Sequence, residues 1–252
     1  MIRRLATDPG GPPTQVFYTT HSPFFVSVDS VESIRLLRVV SRGFPETVAT
    51  QVDLDAAAEE LWVAHGMQGS TWTAATLRPR LRPMVETPVS EGFFANAVVL
   101  VEGEEDRAIL AAAAAQQSLD LSQCGIALIP VAGKANLDRA VVLYRQLGIP
   151  IYVLFDGDQR RGRNGNPEAN RALLALLGHP PEDFPATQVQ PAFACFADTL
   201  ENSFSIVLTF GDRLLSHDPF PPSGAPPLTS LHPTRMNRPC DGTPRLSTRN
   251  RR

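Results

Sequence analysis

Lysine is almost missing from this chain of 252 residues. Lys134 stands alone, and arginine carries the rest of the positive charge. A phosphate-binding loop needs G-x-x-x-x-G-K-[ST], and the single Gly-Lys here is followed by Ala135, so no such loop exists in these residues. Cysteine is scarce and scattered. Cys124, Cys195 and Cys240 form neither a zinc spacing nor a disulfide framework, and a reducing cytoplasm is the expected setting. Long apolar runs are absent too, as is a signal-peptide pattern, so a soluble protein with no membrane partner is expected. With a net charge of −3 the chain has no global basic footprint. That argues against simple electrostatic coating of nucleic acid. It leaves open a phosphate site in which a bound cation supplies the positive charge.

Two stretches dominate what is present. Val98-Val99-Leu100-Val101 runs into Glu102-Gly103-Glu104-Glu105-Asp106, and Ile151-Tyr152-Val153-Leu154-Phe155 runs into Asp156-Gly157-Asp158. Each is an apolar segment with the length and β-branched content of a buried parallel strand, and each stops abruptly in carboxylates. Open α/β sheets bind ligands outside the carboxyl ends of their strands. If the two strands are neighbours, Glu102, Asp106, Asp156 and Asp158 converge there. Asp106, one helical turn beyond Glu102, is expected on the same face. Asp156 and Asp158, two apart in an extended strand end, are expected to point the same way. Such acids repel one another unless a cation sits among them. Hard oxygen ligands without a Cys/His cluster suit Mg²⁺ or Mn²⁺. Glu104 and Glu105 read as ordinary first-turn helix carboxylates.

The rest of the chain supports an α/β domain. Strands are expected at 97–101, 126–131 and 150–155, with a short one near 187–189. Helices are expected at 104–117, 135–147 and 168–177, an alternation that implies a parallel sheet with helical crossovers. Pro130 marks a strand end or an edge. Upstream, a strand is expected at 14–20 and another within 30–40, and a helix at 53–66 capped by Asp53 or Asp55. Arg78, Arg80 and Arg82, interleaved with Pro79 and Pro83, form either a solvated face or a contact to phosphates. Beyond about residue 210 the prolines and arginines read as a disordered tail.

Leu-Val-Glu-Gly-x-x-Asp followed by Leu-Phe-Asp-Gly-Asp resembles the Toprim domain shared by topoisomerases, primases and nucleases of the OLD (overcoming lysogenization defect) family. Upstream, Thr19-Thr20-His21-Ser22-Pro23-Phe24 resembles the switch-histidine segment that ends the ABC-type ATPase of OLD proteins, which narrows the resemblance to that family. It implies a division into a C-terminal remnant of the ATPase (1–50), a helical connector (51–95), a Toprim domain (96–210) and the tail (211–252). It also implies a metal-dependent DNA endonuclease, cleaving phosphodiesters with two Mg²⁺ or Mn²⁺ ions in a phage-defence or DNA-repair role.

By that resemblance Glu102, Asp106, Asp156 and Asp158 are catalytic and metal-binding, Glu201 is a further ligand and His21 senses nucleotide. Lys134, between a strand and its helix on the same sheet edge, is a candidate to neutralise a phosphate or the transition state, or else a solvated loop lysine. Arg160, Arg161 and Arg163 follow the Asp pair and are placed for DNA phosphates, or for solvent. ATP enters only through an ATPase part that is missing from the chain or carried by another one. A homodimer is the other partner implied. Two alternatives stay open: a catalytically inactive remnant, and a binding or regulatory module that needs a separate ATPase.

Overall fold

The computed structural model describes residues 14–41, 44–85 and 88–200, apart from the side chains of Ser41 and Arg163. The first paired element is a hairpin, β1 (Leu36–Ser41) and β2 (Pro45–Thr50), antiparallel with Leu36 opposite Thr50. The strand expected within 30–40 starts later than its sequence indicates, because Val28–Ser33 turns in 3₁₀ geometry and buries Val28 and Val31. The strand expected at 14–20 does not form. Those residues find no ladder partner among the described residues, and the segment folds back locally, with the Tyr18 hydroxyl donating to the Phe25 carbonyl at 2.6 Å.

Helix α1 (Leu54–Ala64) begins where Asp53 accepts the amides of Asp55 and Ala56. Such a cap contributes roughly 1 kcal/mol. Its buried stripe is Leu54, Ala57, Ala58 and Leu61. A short helix α2 (Ala74–Leu77), a run of 3₁₀ turns over Arg78–Met84, and the single turn α3 (Val89–Gly92) lead to the sheet.

The alternation that follows is β3 (Ala97–Val101), α4 (Glu104–Gln116), β4 (Ile126–Pro130), α5 (Leu137–Gln146), β5 (Ile151–Asp156), α6 (Pro167–Leu176), β6 (Gln188–Val189) and β7 (Phe193–Phe196). The sheet order is β4-β3-β5-β7-β6, parallel except for β6 against β7. Pro130 is both the last residue of its strand and on an edge strand, where its missing N–H costs no ladder bond.

Period-two alternation divides the core into two layers. Val98, Leu100, Val153, Phe155 and Phe193 face α1, α5 and α6. Val99, Val101, Tyr152, Leu154 and Phe196 face α4. Burial on both faces is why these strands read as unbroken apolar runs. Helix α1 lies antiparallel to α5. The Asp53 amide donates to Gln146 at the end of α5, and His65, just past α1, meets Asp138 at the start of α5. The start of α5 follows β4, so the end of α1 lies at the carboxyl edge of the sheet. The tail beyond 210 lies outside the described residues.

Candidate active site

Strand order places Glu102 at the carboxyl end of β3, with β4 on one side and β5 on the other. Its carboxylate accepts the Asp156 amide at 2.9 Å, tying together the ends of two neighbouring strands. Asp156 in turn accepts the Leu200 amide at 2.9 Å. Asp106 turns back along the helix start, where its carboxylate accepts the Gly103 amide at 2.9 Å. Glu102, Asp106 and Asp156 close with Leu154, Phe155, Phe196 and Leu200 around one narrow cleft, too tight as it stands to admit a water molecule.

Asp158 departs from the expected arrangement. Its backbone is left-handed, with φ 53° and ψ 33°, so it is not two steps along an extended strand and its side chain parts from that of Asp156. Beside it, Gly157 occupies a position that admits no side chain. A Cβ there would sit 2.8, 2.9 and 3.0 Å from the carbonyl oxygens of Ala197, Phe196 and Pro185. The Asp158 carboxylate is buried and ion-paired with Lys134, while Arg161 stands 3.4 Å from its other oxygen.

Lys134 is neither a solvated lysine nor a free one. Only 6% exposed, it donates to Asp158 and to the Asp156 carbonyl, and its ammonium lies 3.8 Å from Glu102. The chain's one lysine is therefore enclosed by the acids. Lys134 does not undo the cost of burying the Glu102 and Asp156 carboxylates. Burial pushes the Glu102 carboxyl up to about 7, with repulsion from Asp158 and Asp106 adding to it and Lys134 and the Asp156 amide opposing it. Burial and then Glu102 and Asp106 push Asp156 up to about 8, against the Leu200 amide and Lys134. Two such neighbours titrate as a pair.

Buried hard oxygens that resist ionisation are a donor set for a hard divalent cation, which would favour the charged forms. Among the described residues, no three Asp, Glu, His or Cys side chains already stand in ligating positions.

The other sequence candidates fall in different places. Arg160 and Arg161 are exposed in the turns of 159–165, and Arg160 stands 3.3 Å from Asp198. The side chain of Arg163, and Glu201 entirely, lie outside the described residues. His21 is exposed before the turn Pro23–Phe25, outside the five-stranded sheet. Two supports had no sequence signal. Asn170, fully buried on α6, donates to the carbonyls of Gly157 and Asp183 at 3.0 and 2.8 Å. The segment after β7 also holds the aspartate loop, with the Asp158 amide donating to the Asp198 carbonyl at 3.1 Å.

Residues 93–158 match the family described as "Overcoming lysogenization defect protein-like, TOPRIM domain". An OLD nuclease of Thermus scotoductus (strain ATCC 700910 / SA-01) is 29% identical over 144 residues, which cover 57% of this chain and 25% of that protein. The match thus spans a quarter of the relative's length.

Proposed function

From the OLD-like Toprim domain at residues 93–158 as premise, we propose that this chain is the nuclease portion of an OLD-type protein, hydrolysing DNA phosphodiesters with divalent metal. One observation carries the reading: Glu102, Asp106 and Asp156 meet at the carboxyl edge of a parallel sheet, where burial and then mutual repulsion hold Glu102 and Asp156 well above the usual carboxylate range. Glu102, Asp106 and Asp156 would hold the metal. When bound, Mg²⁺ or Mn²⁺ would generate the nucleophile and stabilise the leaving oxygen, two ions dividing those roles.

The chain's own residues do the rest. Glu102 fixes the end of β5 by accepting the Asp156 amide, and the Leu200 amide orients the Asp156 carboxylate. Lys134 anchors the Asp156 carbonyl and Asp158, which keeps the loop between the two aspartates in one shape. Leu154, Phe155 and Phe196 keep bulk water from the inner wall of the cleft. DNA is the substrate proposed, with Arg160 and Arg161 beside the cleft to meet its phosphates.

A second reading has its own observation. Asp158 is locked by Lys134, so an ATPase-bearing partner, or a second copy of the chain, would be what frees it for metal. Nicking of supercoiled plasmid by the purified chain with Mg²⁺, Mn²⁺, Ca²⁺ or EDTA, beside Asp156→Ala, separates the two. Metal-dependent nicking lost in the variant is expected. Nicking that survives Asp156→Ala defeats the site assignment. No nicking, but metal-dependent thermal stabilisation that the variant abolishes, supports the partner-dependent form.

A further inference from the structure

The connector between α1 and the sheet carries charge that the cleft does not use. Arg78 is paired with Glu32 at 2.6 Å. Arg80 lies over an aromatic ring, its guanidinium carbon 3.8 Å from the centre of the Trp72 indole. Arg82 is exposed, and among the described residues neither Arg80 nor Arg82 has an ion-pair partner. A guanidinium is planar by resonance, and a ring beneath its face restrains it while leaving N–H groups at its edge to meet phosphate.

Packing leads from this group to the catalytic edge. The Trp72 ring packs on His65 at 5.5 Å, His65 meets Asp138 at 2.8 Å, and Arg139 donates to Asn136, two residues beyond Lys134. The Arg78–Met84 turns also pack on the Lys134–Asn136 turn directly. The turns that carry Arg80 and Arg82 therefore pack beside the loop that leaves β4, and Arg160 and Arg161 lie in the turns that leave β5, Arg160 against Asp198 after β7. Arginine-bearing turns thus adjoin the loops that leave β4 and β5, at the carboxyl edge where the acids lie, in a chain whose net charge is −3.

We propose that this edge is a track for a DNA backbone, with phosphates held by Arg80 and Arg82 on one side of the cleft and by Arg160 and Arg161 on the other. The inference rests on the DNA-cleaving function proposed above and adds the connector as its second phosphate-binding group. Trp72 serves as the platform that presents Arg80.

Binding of a labelled DNA duplex to the full chain, read by fluorescence anisotropy across a salt series with Ca²⁺ replacing Mg²⁺, tests it. Removing one phosphate-binding arginine lowers the slope of log affinity against log salt by about 1. The variant R80Q/R82Q should therefore show a slope smaller by about 2 and bind more weakly, and R80K/R82K should recover the slope. R82Q alone alters an exposed side chain with no ion-pair partner among the described residues, keeps the fold, and should reduce the slope by about 1. An unchanged slope in R82Q and R80Q/R82Q, with R160Q/R161Q weakened, overturns the track and leaves the nuclease reading standing. A wild-type chain that binds no DNA overturns the track and the self-sufficient form of the nuclease together.

Discussion

Replacing Asp156 with asparagine should stabilise the metal-free protein in mild alkali and leave it unchanged only at about pH 4 and below. The folded protein holds the Asp156 proton up to about 8, whereas the unfolded chain releases it near 3.8. Between those values the native state binds more protons, so stability falls as pH rises through the window and is fully retained below it. The displacement from 3.8 to about 8, at about 1.4 kcal/mol per pK unit, bounds the penalty at about 6 kcal/mol. Solvent reaches part of the carboxylate and the repulsion is shared with Glu102, so about 2–3 kcal/mol is the working expectation. Asparagine keeps an oxygen for the Leu200 amide, so little else changes. In EDTA, melting should show the variant ahead by roughly 5–10 °C at about pH 9 and level only at about pH 4 or below. An advantage of the same size at both pH values would refute the electrostatic account of the cleft.

Lys134→Met should destabilise by about 3–5 kcal/mol in urea titrations, because it strands the buried Asp158 carboxylate. Adding Asp158→Asn should restore most of that, and strictly additive effects would show that the pair is not coupled. Gly157→Ala should cost about 2 kcal/mol or more and abolish nicking, since the new methyl meets three backbone carbonyls that cannot move independently; a melting point and activity equal to wild type would contradict the close packing described. Asn170→Leu should cost about 2 kcal/mol by leaving the carbonyls of Gly157 and Asp183 unmet, with the loss read by the same melts.

What could be read from the sequence depended on how local its cause was. β3 and β5 announce themselves because a strand buried on both faces has no polar position. Glu102 and Asp156 followed from where those strands stop. β7 passed unnoticed because Phe193-Ala194-Cys195-Phe196 is too short to separate from a turn, and β2 because Pro45-Glu46-Thr47 begins it with exposed polar residues. The strand expected at 14–20 has suitable residues but no neighbour to pair with among the described residues. Asp158 was assigned its direction from a strand that ends two residues earlier, and only the carbonyls around Gly157 reveal the turn. Burial of Lys134 depends on three strands at once, which no spacing encodes.

The bond from the Asp156 amide to Glu102 joins residues 54 apart, across a helix, a strand and a second helix. Contacts of that separation close late in folding, after local helices have formed. Until β5 docks against β3, each acid is alone in water and titrates as an ordinary carboxylate. Docking is the moment at which they first meet, so the rate of that step carries the cost of their repulsion. A divalent cation or a lower pH should therefore favour the docked sheet over its separated strands, because each acts most where the acids have been brought together.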